Sequence, residues 1–229
     1  MRKLILLTFL VLPAFGAIAL DHTSTGAIQV GGGSSGVTFS HVIGAGTGRY
    51  LVVSLSGLGE APVTTVTYSG VSLTRITAGG WISELWGLAD PPVGTANVVV
   101  VWPAFTQGYE DIATAGISFT GVGGVNTFGS ETGPTTVTVT TTSANTWLVG
   151  VGCSHNGSMS PSTSQTELYN LPSYGAAAVA AGYIGPVAIG SNTMTWYSSG
   201  GTGSGEGMAL VALAVPGGAS AVRRRSYGQ

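Results

Sequence analysis

The chain has 229 residues, only 7% of them charged, and a formal net charge of −2; an ordinary globular domain carries roughly a quarter charged residues. Its only lysine is Lys3, and between Thr25 and Gly218 two arginines, Arg49 and Arg75, face eight carboxylates, so the basic footprint that nucleic-acid binding needs is missing. Cys153 is the only cysteine, which excludes an intrachain disulfide.

At the start of the chain Arg2 and Lys3 precede an apolar stretch from Leu4 to Ala14, and Ala17-Ile18-Ala19 offers small residues where a signal peptidase reads them. Residues 1–19 are therefore expected to be a cleaved secretory signal, giving a secreted or cell-surface protein with no stable membrane insertion afterwards. Leu4 to Leu20 is just short of a comfortable membrane span, and Pro13 with the Ala-x-Ala ending favours cleavage over an anchor. The remaining residues suffice for one large sandwich or two small domains. Next comes Gly31-Gly32-Gly33-Ser34-Ser35-Gly36, which lacks the lysine and helix of a phosphate loop and reads as a connection.

From there period-two alternation dominates. Val37 to Val42, Val63 to Tyr68, Asn97 to Trp102 and Thr136 to Thr140 are rich in β-branched residues, which pack well on a pleated surface. Tyr68-Ser69-Gly70-Val71 reads as a tight hairpin. Trp81 to Trp86 would place Trp81, Ser83 and Leu85 on one face and Ile82, Glu84 and Trp86 on the other. Large apolar groups on both faces predict a strand covered on both sides. Gly121 to Gly133, with Val125 and Phe128, is expected to hold a further strand, and Cys153 closes an apolar run as an inert buried thiol. Ala176 to Ala181 has helix propensity but is too short for a stable helix alone, and is expected to be a strand of small side chains. Residues 219–229, with Arg223, Arg224 and Arg225, are expected to be a disordered basic tail.

Several landmarks recur. Pro92 precedes Trp102 and Pro186 precedes Trp196 by the same ten positions, and the two sets lie 94 residues apart. Apolar runs flank both, Tyr50 to Val53 and Ala115 to Phe119 in one case, Trp147 to Gly150 and Ala209 to Leu213 in the other. A fixed offset of this kind marks two related halves. The expected architecture is an all-β jelly-roll sandwich of two antiparallel sheets over residues 20–218, merged from halves at about 37–122 and 135–216.

The run Thr65 to Thr74, and Glu84 to Ala96 with the Val98 to Val101 strand behind it, resemble a pattern in uncharacterised secreted bacterial and phage-associated β proteins. Those proteins look like concanavalin-like jelly rolls. The resemblance is clearest in the first half; it implies a fold and an extracellular or virion-surface role, and supplies no catalytic residues.

Concanavalin-like folds include glycoside hydrolases, which need two carboxyl groups at defined separation. No Glu-x-Asp or Glu-x-Glu pair exists, and Glu110 and Asp111 are adjacent, hence on opposite faces of any strand. Glu84 beside Trp86 is the best catalytic candidate, since an apolar wall raises a carboxyl pKa; its plainer reading is a strand carboxylate paired with Arg75. His22 is expected at a frayed terminus, His41 as a satisfied sheet residue, and His155 near the Asn156-Gly157 turn. No metal cluster is visible, although a calcium site assembled from separate loops stays open. Trp102 and Trp196 are expected in the core, whereas Trp81, Trp86, Tyr109 and Tyr174 are the candidate ligand platforms. The leading expectation is a secreted, non-catalytic structural or adhesive module with protein-surface partners or self-association. Its rivals are a glycan-binding domain and, behind that, a glycosidase or lyase.

Overall fold

The computed structural model describes residues 16–26, 35–57, 62–80, 82–103, 112–132, 136–155, 158–162, 164–171, 177–199 and 207–217. These residues are all β. In chain order the strands are β1 (Ala19–Thr25), β2 (Gly36–Ile43), β3 (Tyr50–Gly57), β4 (Thr65–Tyr68), β5 (Val71–Ser72), β6 (Thr74–Gly79), β7 (Ile82–Ala89), β8 (Gly94–Val101) and β9 (Ile112–Thr120). There follow β10 (Gly124–Thr132), β11 (Thr136–Thr141), β12 (Thr146–His155), β13 (Met159–Pro161), β14 (Thr166–Leu171), β15 (Ala177–Val187), β16 (Gly190–Ser198) and β17 (Gly207–Ala214).

The strands pair antiparallel into four sheets where two were expected. A first outer sheet has the order β2-β8-β4-β5, and a first inner sheet β1-β9-β3-β7-β6. A second inner sheet has the order β10-β17-β12-β15-β14, and a second outer sheet β11-β16-β13. Three apolar cores join them face to face. Phe39, Leu51, Tyr68, Val98 and Trp102 fill the first outer–inner space. Val52, Ile117 and Phe119 meet Val149, Val179 and Val211 between the two inner sheets. Val139, Leu148, Met194, Trp196 and Leu210 fill the second inner–outer space.

The sequence pattern sets which layer a strand can occupy. In β2 and β11 every second residue is buried and the others face water, as alternation requires of a sheet with one wet face. β3, β7, β9 and β17 are buried almost throughout. In β3, Leu51, Val53 and Leu55 join the first core while Val52 joins the middle one. The expectation for Ile82 to Trp86 holds: Leu85 lies in the middle core, Ile82 and Trp86 in the first.

The hairpin at Ser69-Gly70 is present, with Tyr68 opposite Val71 and positive φ angles of 51° and 78° at the two central residues. Those angles suit a type I′ turn, whose twist matches the flanking strands. The alanine run is strand, its ladder to β12 on one side and β14 on the other outweighing its helix propensity. Small side chains serve a purpose here: a Cβ on Gly182 would lie 3.2 Å from the Trp196 ring. Trp102 and Trp196 are both fully buried, as expected, and so is Cys153.

The chain's start differs from expectation. His22 lies in β1, and its backbone N–H donates to Ser118 Oγ at 3.2 Å. β1 and β10 both fall outside the half boundaries 37–122 and 135–216. Each strand carries a bulge where it meets its partner, between Leu20 and Thr23 in β1 and between Val125 and Thr127 in β10.

Candidate functional site

Glu84 is the carboxylate that sequence reasoning favoured, and the fold places it inside the first core at 2% exposure. Residues i and i+2 of a strand share a face, so Trp86 stands beside it and its indole N–H donates to Glu84 Oε2 at 2.8 Å. The Val63 N–H donates to Oε1 at 3.3 Å, and Arg75 Nη1 lies 3.7 Å from Oε1. Burial pushes the Glu84 pKa up, against the opposing pull of the Trp86 indole, Arg75 and the Val63 N–H. Trp86 therefore acts as a donor that favours the ionised form, and burial supplies the upward shift. Both oxygens are engaged by groups of the fold, and no second carboxylate is brought to Glu84 in any contact described. The arrangement ties the segment leading into β4 to β6 and β7. It does not assemble an acid–base pair.

A second polar cluster lies where β1 crosses the end of the first core. The bulge in β1 turns Asp21 inward, as bulges commonly re-aim a side chain. Its Oδ2 accepts from the Gly44 N–H at 2.8 Å and from Ser118 Oγ at 2.9 Å, and its Oδ1 lies 2.8 Å from His22 Nδ1. Burial raises its pKa, but the bonds from Gly44, Ser118 and His22 outweigh that, and the net displacement is downward. Nearby, Ser24 Oγ and His41 Nδ1 are 2.7 Å apart, the separation of a nucleophile and its base. His41 is 1% exposed, its ring meets Tyr68 edge-on, and burial lowers its pKa to about 4. Its Nε2 has no hydrogen-bond partner among the described residues. The orienting group that such a pair requires is therefore not supplied there, and His41 is half satisfied rather than fully satisfied as expected.

Polar groups also cross the middle core. Ser56 Oγ and Tyr169 Oη are 2.8 Å apart, and Ser83 Oγ donates to the Gly207 carbonyl at 2.9 Å. Ser83 also lies 3.2 Å from Cys153 Sγ. Burial pushes the Tyr169 phenol up, opposed by Ser56, so it stays a neutral hydroxyl. These bonds fix how one inner sheet lies on the other.

The outer faces differ in kind. On the second outer sheet Thr136 pairs with Thr195, Thr138 with Thr193, Thr140 with Ser191, and Ser160 with Tyr197. Every one of these residues carries a hydroxyl on the face away from the core. Sheet geometry spaces them about 6.8 Å along a strand and about 4.8 Å across strands. Thr138 and Thr193 hydroxyls are 2.8 Å apart, and Tyr197 is 62% exposed at one end of the array. The first outer sheet presents Thr38, Ser40, Thr65, Thr95 and Asn97 among Val42, Val99 and Val101. Among the described residues, no strand of either outer sheet carries Asp, Glu, Lys or Arg. Each edge strand of the inner sheets carries one charged residue, Asp21 on β1, Arg75 on β6, Glu131 on β10 and Glu167 on β14, while Glu84 sits on the interior strand β7 and Arg49 and Asp90 lie in connections.

Of the expected ligand platforms, Trp81, Tyr109 and Tyr174 lie outside the described residues, as do Glu110, Asp111 and the tail. Trp86 is described, and at 7% exposure its ring is packed in the first core instead of being offered to a ligand. The side chain of His155 is also outside the described set. Among the described residues no group of three or more His, Cys, Asp or Glu could hold a metal, and no helix is long and apolar enough to cross a membrane. Sequence reasoning missed the Ser24–His41 pair, whose consecutive strands lie in different sheets, and the Thr/Ser array, whose strands β11 and β16 are far apart in the chain. The alternating threonines of β11 were the one local sign of the array. No family model, no curated protein and no solved structure matches the chain.

Proposed function

We propose that the protein is a secreted, non-catalytic module that adheres through two uncharged, hydroxyl-bearing faces, as a structural or adhesive component of a cell surface or virion. The observation that carries this reading is the distribution of charge: the strands of both outer sheets have none, and the edge strands of the inner sheets each have one. Charged edges discourage strand-to-strand growth, whereas a neutral face can meet another neutral face without stripping water from ions. The internal ties of Glu84 also favour a structural role over an acid–base one.

The architecture fits such a module. We read it as two jelly rolls of one ancestral design packed back to back, in line with the concanavalin-like resemblance. Replacing β1, β9, β3, β7 and β6 by β10, β17, β12, β15 and β14 turns the order of one inner sheet into that of the other, and β2-β8-β4 maps likewise onto β11-β16-β13. The bulges agree too. Asp21 accepts from the Gly44 N–H just after β2, and Asn126 Oδ1 accepts from the Thr142 N–H just after β11 at 3.0 Å.

A glycan-binding reading is favoured by one feature, the exposed Tyr197 ring at the end of the hydroxyl array, since aromatic rings with hydroxyl neighbours suit sugar faces. Co-sedimentation with insoluble neutral polysaccharides, beside light scattering across protein concentration, tests both. Salt-insensitive binding or self-association is expected. A strictly monomeric protein that stays in the supernatant with every polysaccharide would remove the reading.

A further inference from the structure

We propose that the secretory leader is cut between Gly16 and Ala17, three residues before the Ala-x-Ala site that the sequence alone suggests. This rests on the secreted reading above, and it assigns a processing site and a mature terminus.

The two cleavage points leave different proteins. Cutting after Ala19 removes Ala17, Ile18 and Ala19, and the fold uses all three. Ile18 is 4% exposed and belongs to the middle core beside Phe119 and Val122. Ala19 forms the first rung of the β1–β9 ladder, opposite Thr120. Ala17 runs so close to Gly121 that a Cβ there would lie 2.5 Å from the Ala17 carbonyl oxygen. The equivalent rung of the other inner sheet, Gly124 opposite Ala214, is likewise retained. A chain starting at Leu20 would lose a rung, a core side chain and the segment that Gly121 accommodates.

Gly16 and Ala17 are both exposed, so the fold makes no use of the leader's last residue and leaves the new terminus in water. The sequence is suited to the earlier cut. Ala14 and Gly16 are small residues three and one before the bond, and Pro13 stands just ahead of them near the end of the apolar stretch. Small residues stand three and one before either bond, and of the two products only the one beginning at Ala17 keeps every residue that the fold uses. The step is hydrolysis of the Gly16–Ala17 peptide bond, with water giving a carboxylate on Gly16 and an α-ammonium on Ala17.

The full-length chain, expressed in a bacterium with a general secretory pathway, gives the test through intact mass and N-terminal sequencing of the exported protein. The expected terminus is Ala17. Gly16→Leu should abolish that terminus, and the substitution itself meets no obstacle in the fold, because no atom lies within 4 Å of a Cβ placed there. Ala19→Leu, which destroys the later site at an exposed position, should leave it unchanged. An exported protein beginning at Leu20, or loss of processing in Ala19→Leu, overturns the proposal and leaves the secreted reading intact. A chain retained uncleaved at the membrane overturns both.

Discussion

Replacing His41 with leucine removes a buried titrating group while keeping a side chain of similar size in the first core. Burial lowers the folded pKa from 6.5 to about 4, with His22 pushing the same way and Asp21 opposing. As pH falls below 6.5 the unfolded chain takes up a proton at this site and the folded chain does not, until pH nears 4. The stabilisation from keeping His41 neutral is thus complete above pH 6.5 and is lost as pH falls to about 4. At 1.36 kcal/mol per pH unit the whole loss is on the order of 3 kcal/mol. Urea unfolding near pH 7.5 and near pH 4.5 should show wild type losing about 2.5 kcal/mol more than His41→Leu between the two conditions. Carboxylates that titrate over the same range are common to both chains and largely cancel in that difference. If the two proteins lose the same stability, His41 is not held neutral by the core, and the account of this cluster is wrong.

Glu84→Gln should destabilise by about 1–3 kcal/mol near neutral pH, because an amide N–H₂ would then face the Trp86 or Val63 donor. Its pH effect runs opposite to that of His41. Burial raises the Glu84 pKa above 4.5, so the wild type loses stability as pH rises from 4.5 to that folded value, and the glutamine variant should lack that slope in equilibrium unfolding. Tyr169→Phe leaves the buried Ser56 hydroxyl without its 2.8 Å partner and should cost about 1–3 kcal/mol, read as a lower urea midpoint with unchanged slope. Gly79→Ala places a Cβ 2.2 Å from the Met208 carbonyl oxygen and 3.0 Å from that of Glu131. Backbone on both sides must shift, at about 1–3 kcal/mol, and thermal unfolding should report it; an unchanged Tm would mean that the two inner sheets do not approach so closely.

The strands of this fold were legible where their chemistry was local. Alternation in Val37 to Val42 and Thr136 to Thr140 announced strands, and Ser69-Gly70 announced its turn. Even the alanine run could be placed as strand, being too short for a stable helix alone; the structure adds ladders to β12 and β14 on its two sides. The number of sheets was not legible. Ser54 and Ser56 in β3, and Ser83 in β7, look like positions that would face water, yet they lie buried between two inner sheets. Strands this polar, covered on both faces, conceal the fact that one sandwich lies against another. β1 was hidden for a different reason: Ile18 and Ala19 read equally well as the end of a leader and as the start of a strand. Spacing from sequence could pair Glu84 with Trp86 on one face, but which face is sealed depends on Val63, from the segment before β4, and Arg75 on β6. The Ser24–His41 pair depends on β1 and β2 meeting across a connection that carries no local signal.

The claim that the neutral outer faces are the working surface is tested most directly by charging one of them without unfolding it. Thr138→Lys combined with Thr193→Glu replaces the facing hydroxyls with an opposite-charge pair at adjacent positions of the β11–β16 ladder, which cross-strand geometry tolerates. The net charge is unchanged. The variant should fold with nearly the wild-type Tm and lose at least about tenfold, or ~1.4 kcal/mol, of polysaccharide binding or self-association in co-sedimentation and light scattering. Equal binding by the two proteins would show that adhesion, if any, resides elsewhere, and would contradict the account.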